Sequence, residues 1–462
     1  MKDFRSHLDY LEKEGKLVKV KKQVDTRFEI AAGIRKISDT NGPALLFENI
    51  RGYPDWRVAG GIFATKELMA LALETDDDED SILKRHLECD QKSIKPETVS
   101  TGPVKDVIII GDDVDLNALP IPTYCEQDVA PYLTSGIEIA KDPETNIQNC
   151  SMIRRMLLDK DRLSLALPPT RDIGMMITAA EQDNQKLGVA TVIGAPPALA
   201  IASQIKVPMG VDETEIAGAF QGEPLEMVKC ETIDVEVPAN AEIVVEGVVQ
   251  PGERVDDGPF GEYPGNYITL NRWCNLGDTL IQSVYVTKVT AITMRRDPIF
   301  QALLTGIPIT ENHILRKWAS AAAIYRAISH VMLRIEDIKG INLTPGGTGC
   351  YHAVISIKKR TESTPRDIIY TVLSMRILAG MVTVVDEDID IYDPKDVEWA
   401  VATRVHPEND VIILPSVSST EGSPQTASHR HRWGIDATKP TGEYISSYDR
   451  AIPPGVEKVD YV

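Results

Sequence analysis

The sequence contains no apolar run long enough to cross a bilayer, so it offers no membrane-spanning helix. Its first residues, "MKDFRSHLDYLEKEGK", lack the apolar core of a secretory signal, which points to a cytoplasmic protein. The cysteines are few and scattered: six (89, 125, 150, 230, 274 and 350), with no C-x-x-C pair, exclude a zinc ribbon and argue for free thiols rather than a disulfide frame. Positive charge is short. Lys and Arg total 49 against 69 Asp and Glu, a formal net charge of −20, which argues against nucleic acid as a partner. An anionic ligand must therefore be drawn by local cations rather than by the overall field. No internal repeat is apparent. Apolar residues make up 43% of the 462 positions, enough for two or three cores.

Residues 3–14 place Phe4, Leu8 and Leu11 on one helical face, with Asp3 as cap and Gly15 as stop. "KLVKVKKQVD" and "PALLFENI" read as strands, "RFEIAAGIRKI" and "KELMALALE" as helices, which makes a small α/β unit over residues 1–105. From 106 to 310 strand patterns dominate ("DVIIIG", "GIEIAK", "SMIRRMLLD", "ATVIGA", "IDVEVP", "EIVVEGVV", "SVYVTKVTAITM"), interrupted by helices near 171–184 and 212–220. Their density predicts a β-rich, barrel-like domain. Ile314, Leu315, Trp318, Ala321, Ala322, Tyr325 and Ile328 recur at helical spacing and predict a long helix over 311–333. Residues 334–462 then alternate strand and helix as a second α/β domain, with a Pro/Gly/Ser-rich, extended tail after Ser416.

Chemistry concentrates in "DDGPFGEYPG" (256–265). Asp257 and Glu262 flank a Gly-Pro-Phe-Gly turn, and Phe260 is a poor choice for a solvated loop. Paired acids on a shaped turn suit proton transfer, although an acidic surface turn is the commoner meaning of one such motif. In "NCSMIRRMLLD", Asn149 and Ser151 share one face of a strand and Arg154 the other, so a bend is required to bring all three to one ligand. Glu231, in "VKCETIDVEVP", reads locally as an outward carboxylate; with the Asn149 oxygen it would suit a hard cation such as Mg²⁺ or Mn²⁺. The histidines of "ASHRHRW" (429 and 431) read as a solvated or interface segment.

Taken in order, "NCSMIRR", "VKCETIDVEVPANAEIVVEG", "DDGPFGEYPG", "VDEDIDIYD" and "GIDATKP" resemble the UbiD family of prenylated-FMN-dependent decarboxylases, nearer to the members acting on hydroxyaryl or heteroaryl acids. The likeness runs from "LDYLEKEGKLVKV" to the tail. It implies an α/β chain: an N-terminal α/β segment, a split β-barrel that binds prenylated FMN, a connecting helix, and a C-terminal α/β oligomerisation domain forming a homodimer or homohexamer. It also implies a carboxy-lyase that removes CO₂, reversibly, from an aromatic, heteroaromatic or conjugated unsaturated acid. An aliphatic acid, even a phosphorylated one, is the alternative substrate. A scaffolding subunit of a multi-subunit carboxylase is the alternative role. A flavin prenyltransferase would supply the cofactor.

Carried over by motif, the family's Glu-Arg-Glu network falls on Asp257, Arg154 and Glu262, with Glu262 as proton donor and Asp257 one methylene short of the usual glutamate. A glutamate that donates near neutral pH needs a raised pKa, hence partial burial. Asn149 and Glu231 match the family's ligands for a divalent cation, Mn²⁺ or Mg²⁺, with K⁺ as a further ion. The usual third ligand is histidine; "LPPTRDIG" has none, and Asp172, rather than Thr170 or water, is the expected substitute. A lysine usual before the "VDEDID" strand is absent, with Gly380 near its position. Ser151, Met152 and Ile153, with Arg154, match flavin contacts; His313 and Arg316 would border the substrate pocket.

Overall fold

The computed structural model describes residues 2–261, 282–306, 309–418, 429–442, 448 and 450–456. Glu262, the expected proton donor, lies outside the described residues.

The N-terminal helix runs Phe4–Lys13 and begins where Asp3 accepts a hydrogen bond from the Ser6 N–H; Phe4, Leu8 and Leu11 form its buried stripe. The strands Leu17–Val20, Ala44–Phe47, Arg57–Gly60 and Ile299–Ala302 make one four-stranded sheet. The last of these comes from far along the chain and pairs in parallel with Arg57–Gly60. The N-terminal unit has no separate core: Phe4 and Leu11 share a cluster with Val192 and Val244, and Leu45 shares another with Ile193, Ile243 and Phe260.

The central sheet has nine strands. Eight run in the order Tyr132–Leu133, Arg155–Asp159, Arg162–Leu165, Gln282–Met294, Ile243–Asp257, Leu187–Ile193, Ile137–Lys141 and Gln148–Met152; Val107–Ile110 pairs beside Gln282–Met294. The expected continuous strand "SMIRRMLLD" is broken at Ile153 and Arg154. The two pieces lie near opposite ends of the sheet order. Three successive Cα–Cα steps cover at most about 11 Å, so the sheet curls until its two ends approach at this point. The hydrogen-bond ladder does not close into a barrel among the described residues.

The long helix spans Glu311–Ser329. Leu315, Trp318 and Ala319 pack in the first core, whereas Ala321, Ile324 and Ile328 pack in that of the C-terminal unit. One helix thus sits in both cores, although it ends at Ser329 rather than at the expected 333. The C-terminal sheet has the order Ile338–Leu343, His352–Ile357, Met381–Asp386, His429–Ala437, Val411–Ser418. The tail is not peripheral: its strand His429–Ala437 lies inside the sheet, parallel to Met381–Asp386 and antiparallel to Val411–Ser418. Arg432, on that strand, is fully buried and donates to the Leu373, Met375 and Ile377 carbonyls at the end of the helix Thr364–Ser374. His431 is exposed, as expected.

Candidate active site

The strand Ile243–Asp257 delivers Asp257, fully buried, to the point where the chain crosses at Arg154. Arg154 donates to one carboxylate oxygen, with Nε 3.1 Å and Nη2 3.0 Å from Asp257 Oδ2. The shorter acid therefore reaches its arginine. Tyr132 Oη donates to the other oxygen, Oδ1, at 3.0 Å. Beyond Asp257 the chain turns through Gly258, whose φ of +112° suits glycine. Phe260, 3% exposed, packs against Tyr132 with ring centroids 4.4 Å apart, and the Arg154 guanidinium lies 5.1 Å from its ring centre. Asp128 fastens the end of this turn: its Oδ1 accepts from Gly261 N (2.7 Å), its Oδ2 from Tyr124 N and Cys125 N (both 2.9 Å). Burial raises the pKa of Asp128, against the pull of those three N–H groups.

Behind Arg154 the next residue points the opposite way. Arg155, fully buried, pairs with Glu138 Oε2 at 2.6 Å and donates to Thr191 Oγ1 at 2.7 Å, which ties three strands together under the site. Burial pushes Glu138 up to about 7 despite that arginine.

A second cluster forms around Asn149. Its Nδ2 lies 2.8 Å from Glu213 Oε1 and 3.5 Å from Asp172 Oδ2. Both acids are the first residues of helices, Asp172–Gln182 and Glu213–Gln221, whose N-terminal ends favour negative charge. Glu213 is 3% exposed and also accepts from Cys150 N at 2.8 Å; among the described residues it forms no ion pair. Burial pushes its pKa up to about 8, helped by neighbouring Asp212 and Asp172. Burial also raises Asp172, while Lys206, Arg376 and Arg171 pull it down. Arg376 comes from the C-terminal unit and donates to the Thr170 carbonyl at 3.1 Å. Ser151 Oγ lies 3.4 Å from Asn149 Oδ1, on the same strand face, as alternation requires. Met152 is half-buried and Ile153 is buried, with its N–H donated to Gly136 O at 3.0 Å.

Glu231 is not in this cluster. Its carboxylate pairs with Lys105 Nζ at 2.8 Å and its N–H donates to Glu246, because the chain bends away after the strand Glu226–Lys229. The acid that meets Asn149 and Asp172 is Glu213, which the sequence analysis missed. An acid opening a helix looks like ordinary compensation of the helix dipole; the signal was that "VDETE" offers three acids where one suffices. No group of three His, Cys, Asp or Glu that could hold a metal occurs among the described residues, so here an amide completes the set. Two carboxylates and an amide oxygen, presented by turning the Asn149 amide over, make an all-oxygen donor set, which fits a hard divalent cation.

His313 and Arg316 stand in the first turns of the long helix. His313 is buried, and its Nδ1 accepts from Thr310 N at 3.1 Å; burial, then Arg316, lowers its pKa to about 3, so the ring is neutral. Arg316 is half-buried. Between them and the N-terminal unit lies an acid the sequence analysis also missed: fully buried Glu311 accepts from Gly61 N (3.0 Å) and Phe63 N (3.1 Å), and burial raises it to about 7.

Three family models cover the chain: the N-terminal domain of 3-octaprenyl-4-hydroxybenzoate carboxy-lyase over residues 8–87, its Rift-related domain over 97–308, and its C-terminal domain over 313–437. They define a three-unit carboxy-lyase. The chain belongs to the UbiD family. It is 33% identical over 453 residues to the anhydromevalonate phosphate decarboxylase of Methanosarcina mazei, covering 98% of this chain and 99% of that one. Among solved structures it resembles an evolved dimeric form of the UbiD-class enzyme HmfF from Pelotomaculum thermopropionicum in complex with prenylated FMN (TM-score 0.85, 36% identity, 100% and 99% covered). It also resembles the vanillic acid decarboxylase of Sedimentibacter hydroxybenzoicus in closed form (TM-score 0.84, 29% identity, 99% and 97% covered). No helix among the described residues is long and apolar enough to cross a membrane.

Proposed function

We propose that the chain removes CO₂ from a conjugated unsaturated carboxylic acid on prenylated FMN, with a proton taking the place of the carboxylate on the same carbon. The single observation that carries this reading is the ion pair of half-buried Arg154 with fully buried Asp257, set where the sheet's two ends meet and beside the turn that leads into Glu262. The cofactor, when bound, supplies the carbon that holds the substrate while the carboxylate departs as CO₂. Everything else falls to side chains. Asn149, Asp172 and Glu213 would hold a divalent cation, Mn²⁺ or Mg²⁺, which would supply positive charge for an anionic cofactor, with Arg171, Lys206 and Arg376 adding positive charge nearby. Ser151, Met152 and Ile153 line the flavin. Arg154 binds carboxylate and flavin polar edges, and Asp257 orients it. Glu262 gives its proton to the product carbon. His313, neutral, shapes the pocket with Arg316 rather than acting as an acid.

The substrate is an aromatic, heteroaromatic or aliphatic conjugated acid. The likeness to vanillic acid decarboxylase supports the aromatic acid, and that to anhydromevalonate phosphate decarboxylase supports the aliphatic one. The assembly is a homo-oligomer. The test is CO₂ release by protein co-expressed with a flavin prenyltransferase, on vanillic, furoic and cinnamic acids and anhydromevalonate phosphate. Glu262→Gln should retain flavin and lose roughly 10²-fold or more in turnover, the usual range for removing a general acid. Near wild-type turnover by that variant would show that another group delivers the proton.

A further inference from the structure

Tyr132 sits on the two-residue strand Tyr132–Leu133, paired against Arg155–Asp159 with Tyr132 opposite Met156. Its side chain is fully buried, and its hydroxyl faces two acceptors: Asp257 Oδ1 at 3.0 Å and Met156 Sδ at 3.1 Å. A phenol has one proton, and a carboxylate oxygen is a far stronger acceptor than a thioether, so the proton goes to Asp257. Burial, reinforced by the Asp257 charge, raises the Tyr132 pKa, so the hydroxyl stays a donor throughout the working pH range. The same ring packs on Phe260, and so touches both the acid and the apolar residue of the GPFG turn.

Asp257 needs this second partner. Arg154 holds only Oδ2, and a carboxylate held at one oxygen can still rotate about its Cβ–Cγ bond and take the arginine with it. With Tyr132 on Oδ1 and Arg154 on Oδ2, the plane of the carboxylate is fixed, and the guanidinium is held over the Phe260 face. The aspartate's missing methylene leaves the carboxylate near the sheet, within reach of a residue on its first strand.

We propose that Tyr132 is a positioning residue: its hydroxyl fixes Asp257, and through Asp257 the aim of the Arg154 guanidinium. This rests on the decarboxylase reading above. Tyr132→Phe keeps the ring on Phe260 and removes one O–H group. In prenylated-FMN-loaded protein, kcat should fall about tenfold while KM and flavin content stay near wild type, the pattern of an interaction needed chiefly in the transition state. In guanidinium unfolding of the same loaded protein, Tyr132→Phe should weaken stability in the wild-type background and clearly less beside Asp257→Asn, a coupling of roughly fivefold in the unfolding constant. Unchanged kcat overturns the proposal. So does a loss of kcat that only parallels loss of flavin, and so do additive unfolding effects. Loaded wild-type protein that releases CO₂ from none of the four acids overturns instead the proposed function, and the positioning role with it.

Discussion

Glu213 makes a measurable demand on the cation-free protein. Its carboxyl is 3% exposed, accepts from Asn149 and Cys150 N, faces Asp172, and titrates near 8 rather than at its ordinary 4.5. A folded-state pKa raised above the unfolded one means that folding favours the protonated form. The stability from this group is full below about 4.5 and is lost as pH rises through about 8. At about 1.4 kcal/mol per tenfold change in acidity, the loss approaches 5 kcal/mol as an upper bound and is nearer 3 kcal/mol once the buried site relaxes. A divalent cation reverses the sign, because it binds the ionised carboxylate and expels the proton. Melting curves of chelator-treated protein between pH 5 and 9 should therefore show falling stability toward alkaline pH, and added Mn²⁺ should restore it most at the alkaline end. Glu213→Gln should flatten the chelated profile, raise stability at pH 8.5, and abolish the response to Mn²⁺. If Glu213→Gln leaves both the alkaline loss and the Mn²⁺ response as in wild type, the cation is not held at Asn149 and Asp172 through this acid.

Glu231→Ala should leave flavin and metal content unchanged and lower stability by about 1 kcal/mol or less, since its pairing with Lys105 is partly solvated; metal analysis showing loss of the cation would restore Glu231 as a ligand. Glu311→Gln should weaken two hydrogen bonds from buried N–H groups at Gly61 and Phe63 and cost about 2–4 kcal/mol, read by denaturant unfolding; hydrogen exchange should report the loss at residues 61–63 first, and protection there equal to wild type would argue against the clamp.

Periodic elements were legible because burial follows period. The helix Phe4–Lys13, the long helix and the central strands all follow apolar spacing in the sequence. The family resemblance also placed Arg154 with Asp257, which local pattern could not, since 103 residues separate them and only the sheet brings them together. What stayed hidden depends on contacts between distant segments. Glu213 and Glu311 look like helix-start acids until neighbouring backbone N–H groups bury them. Tyr132 looks like a core aromatic until the end of a distant strand supplies its acceptor. Ile153 and Arg154 fit a strand by side-chain type, and the break appears only because the flanking pieces join opposite ends of the sheet.

The strand His429–Ala437 adds a constraint in time. A ribosome emits it after every other strand of the C-terminal sheet, yet its place is between two of them. Until residue 437 has emerged, Met381–Asp386 has an open edge and the helix Thr364–Ser374 lacks the arginine that satisfies its last carbonyls. The nascent C-terminal unit must wait with a gap in its middle, a template that any passing extended chain could fill. Chaperone demand during synthesis should therefore concentrate on the interval between the emergence of residues 418 and 437, and a chain stopped within that interval should aggregate through the gap rather than persist as a smaller, otherwise intact enzyme.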